Sequence, residues 1–564
     1  MITGTRLNDY IEHWAKARPD HPAMIQHEDG KTISYKEFVR LTDFFALRLM
    51  DMGIQPGDRV ATQLVLVPEH MILMYACFKI GAIFAPLDVR LTETEVVRDV
   101  NKIRPRAFFF LGETPVKDFR EVGKAVQAGC PSVEHLVQFT PDPAPGDVID
   151  GAISITAMMD KKKLIWLKIK DLFTHGLKRA WEAVDARTPA LIIYTTGTTG
   201  EPKPALLCHQ NILVQNRVLA RGFGTETDNA DFVCLCNLPP SHVGCVTETF
   251  MTTLFLGGTA VLLRIFDAKL TLEAIQARKV KALGQIPTMF RMLWALPEYD
   301  QYDLSSLEFV AYGGSSVDTA FLTKLAAMAP RFGTGIGMTE NAGFGTFTPD
   351  GISIEEMAGQ VGQAYEDLAP ITIRKPMNSD GSAGAEVPDL EVGEICYQGP
   401  IVFLGYYDQA EATARTISKE GFLYTGDLGY FKPMEDYRAL YLSGREKFVI
   451  KQKGYNVFPG EVEEHIATME GVDMAEVVGV KHELFDEGIF AFVRAEAGAD
   501  LTVEAVMAHC KSIAAYKRPA HVVIRSHDVE FPLTRSTKVD KMALKTEADG
   551  VVEELRSQGL WDAA

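Results

Sequence analysis

Residues 194–203 carry a dense set of groups that can bind phosphate. The segment reads Tyr194-Thr-Thr-Gly-Thr-Thr-Gly-Glu-Pro-Lys203 and follows an apolar run that begins at Ala190. Threonine hydroxyls donate hydrogen bonds, glycines let backbone amides approach an anion, and Lys203 adds a full positive charge. The predicted donors are Thr195, Thr196, Gly197, Thr198, Thr199 and Gly200. The segment is not a Walker loop, whose pattern occurs nowhere in the chain. Taken alone, it fits either a polyphosphate-binding loop or a plain strand-to-helix turn.

The elements nearer the N-terminus alternate between helix and strand. Ser34 and Glu37 have the spacing of a capping box, and the helix that they open is predicted to stop at Gly53. A strand is predicted from Arg59, a helix over residues 70–80 and a strand over residues 82–85. This alternation is typical of an α/β fold in which helices cover a largely parallel sheet.

The composition restricts the class of protein. The chain has 564 residues, enough for two or more domains, and a formal net charge of −18, which argues against nonspecific binding to nucleic acid. Its eight cysteines lack zinc-site spacing, so we expect reduced thiols. We see no signal peptide, and the longest uncharged run, residues 249–263, is too short to cross a membrane. We therefore expect a soluble, cytoplasmic protein without a transmembrane segment.

The segment of residues 158–187 differs in composition from its surroundings. It holds eight Lys or Arg against four Asp or Glu, with Trp166, Phe173 and Trp181 interleaved. One interpretation is one or two surface helices that bury their apolar faces. The other is a patch that docks on a membrane surface or on a partner.

Further motifs follow the phosphate-binding loop in order along the chain. They are Gly313-Gly314-Ser315, Gly337-Met338-Thr339-Glu340, Tyr424-Thr-Gly-Asp427, Gly444-Arg445, Gly454-Tyr455-Asn-Val-Phe-Pro-Gly-Glu461 and Lys538. With residues 194–203, this set resembles the adenylate-forming superfamily of acyl-CoA synthetases, peptide-synthetase adenylation domains and firefly luciferase. The resemblance implies an α/β fold with two domains. A large adenylating N-terminal domain of several subdomains would cover residues 1–444, and a small mobile α+β C-terminal domain would cover residues 445–564.

The resemblance also implies how ATP is bound. A carboxylate that attacks the α-phosphorus of ATP meets another anion, so the site must neutralise charge and align both groups. Glu340 would hold Mg²⁺, and Thr339 would donate its hydroxyl to the α-phosphate. Asp427 would accept from the two ribose hydroxyls, with Arg445 reaching the ribose or its phosphate. The other implied nucleotide contacts are Gly313, Gly314, Ser315, Ile336, Gly337 and Met338.

The C-terminal motifs imply a second half-reaction. Lys538 would contact the acyl carboxylate and the α-phosphate during adenylation. Lys447 occupies the family's hinge position, about which the small domain rotates to bring Lys538 in and later to remove it. Gly454 and Tyr455 would then border the pantetheine tunnel.

Three positions depart from the family pattern. Ile336 stands where an aromatic residue, most often Tyr, stacks on adenine, so we expect weaker ATP binding or looser purine selectivity. Pro204 and Thr537 replace glycines beside Lys203 and Lys538, and we expect them to stiffen both loops.

The nature of the acid is predicted from two regions. Residues 237–244 resemble the family's histidine motif, which places His242 near the acyl and pantetheine sites; a structural histidine is the alternative. Between Asp231 and Glu248 there is no acidic residue, which argues against an amino acid. Gly337 would leave room for a large acyl group, because acetate-specific relatives carry Trp there. The residues expected to add space or form walls are Gly335, Gly343, Gly345, Met289, Phe290 and Met338. An apolar acid of cyclic, aromatic or medium-chain type is therefore predicted.

We predict an ATP-dependent carboxylate–CoA ligase that works through an acyl-adenylate, with ATP, Mg²⁺ and coenzyme A as its cofactors. An adenylating enzyme that loads a separate carrier protein is one alternative; only about twenty residues follow Lys545, too few for a carrier module of the chain's own. A noncatalytic nucleotide-binding regulator is the other alternative. The oligomeric state is left open, with a homodimer as one option.

Overall fold

A computed structural model describes residues 4–140, 143–195, 202–225, 228–315, 317–452, 455–483, 486–534 and 539–562. The chain divides into two compact units, residues 1–371 with 397–423 and residues 372–396 with 424–564. Helices and strands alternate through the first unit, which confirms the predicted α/β class. The domain boundary at residue 444 and the hinge at Lys447 stay predictions.

The first unit contains eighteen strands and fifteen α-helices among its described residues. The strands are β1 (Pro22–Gln26), β2 (Thr32–Ser34), β3 (Arg59–Gln63), β4 (Ile83–Pro86), β5 (Ala107–Leu111), β6 (His135–Phe139), β7 (Ala152–Ser154), β8 (Pro189–Thr195), β9 (Lys203–Cys208), β10 (Val233–Cys236), β11 (Thr259–Leu262), β12 (Ala282–Gln285), β13 (Phe309–Tyr312), β14 (Arg331–Thr334), β15 (Gly337–Met338), β16 (Gly343–Phe344), β17 (Thr346–Phe347) and β18 (Gln360–Ala364). The helices are α1 (Leu7–Ala17), α2 (Tyr35–Asp51), α3 (Pro68–Lys79), α4 (Glu93–Ile103), α5 (Arg120–Gly129), α6 (Ile155–Met158), α7 (Lys161–Thr174), α8 (Gly176–Glu182), α9 (His209–Gly222), α10 (Thr252–Leu256), α11 (Ala268–Arg278), α12 (Pro287–Trp294), α13 (Thr319–Ala326), α14 (Ile354–Met357) and α15 (Ala410–Ala414). A π-helix covers Gly244–Met251, and 3-10 turns cover Tyr299–Gln301 and Thr339–Asn341.

Two seven-stranded sheets organise this unit. Their strand orders are β14-β13-β12-β10-β11-β1-β2 and β7-β6-β5-β3-β4-β8-β9. Neighbouring strands run parallel except at one edge of each sheet, where β2 pairs antiparallel with β1 and β9 pairs antiparallel with β8. Parallel strands buried on both faces read as continuous apolar runs, as in Phe108-Phe109-Phe110 of β5. In such sheets, ligands bind beyond the carboxyl ends of the strands.

Local sequence signals account for several of these elements. The Ser34 hydroxyl accepts a hydrogen bond from the backbone amide of Glu37, which opens α2 as the capping spacing predicted. The predicted strand from Arg59, helix over 70–80 and strand over 82–85 appear as β3, α3 and β4. The uncharged run of residues 249–263 forms helix, turn and strand, as predicted, and Gly257 ends α10 with a φ of 78°.

The second unit holds the remaining described elements. They are β19 (Ile371–Arg374), β20 (Gly393–Tyr397), β21 (Leu423–Pro433), β22 (Arg438–Arg445), β23 (Ile450–Gln452), β24 (Tyr455–Val457), β25 (Val472–His482), β26 (Asp486–Ala495), β27 (His521–Arg525), α16 (Pro459–Ala467), α17 (Val503–His509) and α18 (Lys541–Ser557), with 3-10 turns at Glu446–Phe448, Cys510–Ser512 and Ala515–Lys517. Strands β22, β21, β20 and β19 are neighbours in that order, and in a second sheet β26 pairs with β23, β25 and β27. Helices α16 and α18 pack on β25.

All eight cysteines are buried and free of disulfides, in agreement with the prediction of reduced thiols. None of the helices in the described ranges is long and apolar enough to cross a membrane.

Candidate active site

The segment predicted to bind phosphate begins at the end of β8 and ends at the start of β9, two antiparallel neighbours. Thr195, the last residue of β8, pairs in register with Lys203, the first residue of β9. Lys203 is half-buried at this edge of the sheet. The intervening predicted donors, Thr196, Gly197, Thr198, Thr199 and Gly200, lie outside the described residues.

Residues 404–407 extend the sheet beyond β9. The amide of Leu206 donates to the carbonyl of Gly405 at 2.9 Å, and the amide of Tyr407 donates to the carbonyl of Pro204 at 2.8 Å. Pro204 has no amide hydrogen to donate, but its carbonyl still joins this pairing. The pairing brings Tyr406 to Lys203, whose Nζ lies 5.1 Å from the centre of the tyrosine ring.

Glu340 lies on the 3-10 turn that follows β15. Asn341 holds this turn, because its Oδ1 accepts a hydrogen bond from the Met338 amide at 2.8 Å. The Glu340 residue is only 6% exposed, and its Oε1 accepts a 2.6 Å hydrogen bond from the phenolic oxygen of Tyr406. Lys203 and Glu340, which come from separate motifs, are therefore linked through Tyr406.

Tyr406 was not identified from the sequence. Burial, followed by the negative charge of Glu340, raises the pKa of the Tyr406 hydroxyl well above its ordinary value. The hydroxyl therefore keeps its proton and donates it to the carboxylate in a hydrogen bond. Gly405-Tyr406-Tyr407 carries no local signal of this role, since only the pairing with β9 places it.

The predicted nucleotide contacts of the first unit lie at the ends of neighbouring strands. Gly313 and Gly314 follow β13, and the Gly313 amide donates to the carbonyl of Gln285 at the end of β12. A Cβ atom at Gly313 would lie 2.6 Å from the Phe344 ring, and Gly314 has a φ of 93°, so both positions require glycine. Ser315 is exposed beside them.

Ile336 precedes β15 and is buried. Its amide donates to the Thr346 hydroxyl at 2.9 Å, and its carbonyl accepts from the Tyr397 hydroxyl at 3.2 Å. These bonds fix the backbone at the position where an adenine-stacking residue was expected. Gly337 is exposed, and Met338 and Thr339 are half-buried.

The prediction that the glycines around residue 337 open space for the acyl group is wrong. A Cβ atom at Gly337 would lie 2.4 Å from the carbonyl oxygen of Gly343, and one at Gly335 would lie 2.2 Å from the carbonyl oxygen of Thr346. At Gly345 the same atom would lie 2.3 Å from the Tyr397 ring. These glycines therefore permit close packing of backbone and ring rather than an open pocket.

A small cavity of about 30 Å³ lies in the first unit beside Phe344, the residue between Gly343 and Gly345. Its lining residues are Leu219, Phe223, Cys234, Glu248, Thr249, Ala282, Leu283, Gly284, Phe309, Ala311 and Phe344. The predicted walls Met289, Phe290 and Met338 are not among them, and Phe290 packs in the core against Trp294 and Phe321. Apart from Glu248 and Thr249, the lining is apolar or glycine. The Glu248 side chain lies against Gly343, where a Cβ atom would come within 2.5 Å of it.

His242 lies just before the π-helix, a form that is rare and frequent at functional sites. Its Nε2 is 3.7 Å from Oδ2 of Asp88, which follows β4 at the carboxyl end of the strand. Burial by itself would raise the pKa of Asp88, but the hydrogen bonds from Arg90, together with the nearby His242 imidazole, outweigh it and hold the pKa below its ordinary range. Asp88 is a second site residue that sequence reasoning missed. The sequence feature that could have pointed to Asp88 is Arg90, two residues later, because an arginine at this distance can pair with the carboxylate.

Asp427 and Arg445 meet within the second unit. They are register partners on β21 and β22, and Arg445 Nε lies 2.7 Å from Asp427 Oδ1. The preceding Gly426, also in β21, has a φ of 73°, and its amide donates to Glu394 at 2.8 Å, which fixes the backbone next to Asp427. The structure therefore brings together the two residues predicted to bind the ribose.

Lys447 follows on the short turn after β22. Lys447 is exposed, but partial desolvation, together with the like charge of Arg445, lowers its pKa to about 8. Tyr455 begins β24. Gly454 and Lys538 lie outside the described residues, so their predicted roles stay predictions.

The Glu340 carboxylate fits the role of a magnesium ligand, and the ion would supply positive charge beside the substrate phosphates. No group of three or more His, Cys, Asp or Glu side chains is placed to hold a metal within the part of the chain that the structure describes. Mg²⁺ is commonly held by one or two carboxylates together with phosphate oxygens and water. The single carboxylate of Glu340 is therefore enough as the protein's contribution to such a site.

Family models cover most of the chain. The model described as AMP-binding enzyme matches residues 11–407, and the model described as AMP-binding enzyme C-terminal domain matches residues 461–538. The chain belongs to the AMP-binding enzymes, which confirms the resemblance to the adenylate-forming superfamily.

Relatives of known name narrow the class of enzyme to which the chain belongs. The medium-chain fatty-acid–CoA ligase of Escherichia coli K12 is 27% identical, over 96% of this chain and 90% of the relative. A feruloyl-CoA synthase from an Amycolatopsis species is 28% identical, over 92% and 95%. The crystal structure of ATP-bound MatB from Rhodopseudomonas palustris has a TM-score of 0.77 at 25% identity, over 97% of this chain and 99% of that chain. The predicted reaction class is confirmed: the chain is an acid–thiol ligase of the ATP-dependent carboxylate–CoA type.

Proposed function

We propose that this ligase activates an apolar carboxylic acid of cyclic, aromatic or medium-chain type, with ATP, Mg²⁺ and coenzyme A. The observation that carries the assignment of the active site is the meeting of Lys203, Tyr406 and Glu340, because it joins a phosphate-binding cation to a metal-binding carboxylate. The cavity beside the π-helix has a mostly apolar lining, which favours an apolar acyl group. Its volume of about 30 Å³ suits little more than a water molecule, so it must widen to admit the acid. Two relatives are named for a medium-chain fatty acid and for feruloyl-CoA, and these names point to the same range of acids.

The reaction has two steps. In the first, a carboxylate oxygen of the acid bonds to the α-phosphorus of ATP while the bond to pyrophosphate breaks. In the second, the thiol of coenzyme A bonds to the acyl carbon, loses its proton, and AMP leaves. Both steps bring anions together, so positioned cations and hydrogen-bond donors are the main source of catalysis.

We assign roles to the chain's own residues as follows. Lys203 and the hydroxyls and amides of residues 195–200 bind the phosphates, and Thr339 donates to the α-phosphate. Asp427 and Arg445 bind the ribose, and Lys538 neutralises the reacting carboxylate and α-phosphate in the first step. Gly313, Gly314, Ser315, Ile336, Gly337 and Met338 surround the base.

Glu340 would hold Mg²⁺ in the orientation that Tyr406 gives its carboxylate. The ion, when bound, supplies positive charge to the phosphate oxygens. His242 lies with Asp88 near the acyl group and the thiol. Lys447 is the hinge of the small domain, with Gly454 and Tyr455 beside the pantetheine.

A panel of acids tests the proposal. Pyrophosphate release and thioester formation are measured with benzoate, cyclohexanecarboxylate, hexanoate, octanoate and longer acids, with and without coenzyme A. We expect acyl-CoA from at least one apolar acid. Release of pyrophosphate without any acyl-CoA would favour loading of a carrier protein, and silence with every acid would favour a noncatalytic regulator.

The role of Lys538 is tested by separating the steps. We expect Lys538→Ala to abolish pyrophosphate release while it leaves thioester formation from preformed acyl-adenylate within about twofold of the parent. Lys511→Ala, a change at an exposed lysine of the same unit, is the matched control. Loss of the second step alone would overturn the role. We keep a cytoplasmic location and the option of a homodimer as proposals, which cell fractionation and light scattering of the purified protein would test.

A further inference from the structure

Helix α7 presents an unusual number of large apolar side chains to solvent. Five exposed apolar residues fall within nine positions: Ile165, Trp166, Ile169, Leu172 and Phe173. Trp166 is 54% exposed and Phe173 is 82% exposed. A surface helix ordinarily turns such residues toward the core, so this exposure needs an explanation.

The exposed residues share one face of the helix. At about 100° per residue, they fall within an arc of roughly 120°. Leu164, Leu167 and Asp171 lie on the opposite side, and the two leucines are buried. The buried-face interpretation of this segment therefore accounts for Leu164 and Leu167 but not for the outward face.

The helix is well anchored on the rest of the unit. The Asp160 carboxylate caps its first turn by accepting from the Lys163 amide, and Lys163 Nζ forms an ion pair with Asp51 of α2 at 2.8 Å. Lys168 lies over the ring of Phe44, also on α2. The outward face is therefore a feature of a packed helix.

Lysines border the apolar arc. On the same helical projection, Lys161 and Lys168 flank one side, Lys163 and Lys170 flank the other, and Lys162 lies within the arc at its N-terminal end. Residues 161–179 contain seven Lys or Arg against one Asp, in a chain with a net charge of −18. This segment is therefore positive in an otherwise negative chain, which favours a partner that carries negative charge.

We propose that the outward face of α7 binds the surface of an anionic phospholipid membrane. Apolar side chains enter the interface between headgroups and acyl chains, as in helices that lie in the plane of a bilayer. Lys161, Lys162 and Lys170 reach the anionic headgroups, whereas Lys163 and Lys168 hold the helix on α2. Trp and Phe suit this depth. A second copy of the chain is a poorer occupant, because a symmetric contact would oppose the two sets of lysines.

The test is flotation of the full-length protein with vesicles. Neutral phosphatidylcholine vesicles are compared with vesicles that contain about one third phosphatidylglycerol, at about 50 mM and about 500 mM NaCl, a range over which screening of surface charge increases strongly. We expect binding to the anionic vesicles at low salt and at least tenfold weaker partitioning to the neutral vesicles, roughly the effect of two or more lysines.

Two double variants separate the contribution of apolar contact from the contribution of charge to vesicle binding. Trp166→Ser with Phe173→Ser removes apolar contact, and Lys161→Glu with Lys162→Glu reverses charge in the first turn, where acidic residues suit the helix dipole. Each is expected to lower partitioning at least about tenfold. The matched control is Ile265→Ser with Lys269→Glu: Ile265 is 56% exposed, and both residues lie outside α7. Thermal melting and pyrophosphate release confirm that each variant is folded.

Several outcomes would overturn the proposal. These are equal partitioning to neutral and anionic vesicles, no partitioning to either, and α7 variants that bind like the control. Loss of a stable protein complex in the α7 variants, without vesicle binding by the parent, would assign this face to a protein partner instead.

Discussion

The phenolic oxygen of Tyr406 donates a 2.6 Å hydrogen bond to Oε1 of Glu340, and the same tyrosine ring lies under Nζ of Lys203. Glu340 and Tyr406 are both buried. A buried carboxylate that accepts a short hydrogen bond is fixed in direction before any ligand arrives. Tyr406 therefore acts as a positioning residue for the proposed magnesium ligand.

Removal of the Tyr406 hydroxyl tests this relationship. We expect Tyr406→Phe to lower kcat for pyrophosphate release by about tenfold to a hundredfold, because a hydrogen bond to a charged group is lost. The apparent requirement for Mg²⁺ should rise as well, which a purely structural defect would not cause. Titration of activity with Mg²⁺ measures both effects. Tyr407→Phe is the neighbouring control, and equal losses in the two variants would contradict the assignment.

The ion pair of Asp427 and Arg445 leads to a prediction for ATP binding. We expect Asp427→Asn to raise the KM for ATP by about tenfold and to leave the KM for the acid unchanged, since only the nucleotide loses a charged acceptor. Asp389→Asn is a matched control, because Asp389 also pairs with an arginine of β22, Arg438. An unchanged KM for ATP, or the same rise in the control, would exclude a ribose-binding role.

The lowered pKa of Lys447 predicts a pH-dependent reactivity. With a pKa of about 8 instead of its ordinary 10.5, Lys447 is half deprotonated near pH 8 and should react with amine reagents from that pH upward. Between pH 8 and pH 10.5 the folded chain therefore holds fewer protons at Lys447 than the unfolded chain does. In this pH range, Lys447 makes the free energy of unfolding rise with pH.

Mass spectrometry of acetylation at Lys447 across pH measures this pKa. We expect an inflection near pH 8 in the parent. Arg445→Gln removes a like charge and should move the inflection to higher pH. An inflection above pH 10 in the parent would show that partial desolvation does not act on this amine.

The contact of His242 with Asp88 predicts an effect on only part of the reaction. Asp88 accepts from Arg90 and lies 3.7 Å from His242. We expect Asp88→Asn to slow thioester formation from acyl-adenylate by about tenfold, because the imidazole loses its charged partner. Pyrophosphate release should change less than about twofold. Asp58→Asn, at a remote pair with Arg106, is the control; an equal loss in both steps would indicate a structural defect.

The sequence predicted best where the signal was local. The capping residues Ser34 and Glu37 predicted α2, and the glycine at 257 predicted the turn between α10 and β11. Motif order predicted that Asp427 and Arg445 share a site, and strand pairing brings them together.

The predictions from the sequence failed where a site depends on contacts between distant parts of the chain. Tyr406 reaches Glu340 only because residues 404–407 pair with β9, which no spacing in the sequence reveals. Gly337 suggested empty space, but the backbone of β16 fills it, and a missing side chain cannot distinguish the two cases. Exposure of Trp166 and Phe173 likewise depends on which face of α7 meets α2.

The fate of the acid's oxygen atoms tests the central claim most directly. The most active acid from the panel is labelled with ¹⁸O in its carboxylate and turned over with ATP, Mg²⁺ and coenzyme A, and the products are analysed by mass spectrometry. If an acyl-adenylate forms and is then attacked by the thiol, one labelled oxygen appears in each AMP and the other stays in the thioester carbonyl. Unlabelled AMP, or label in pyrophosphate or phosphate, would contradict the account.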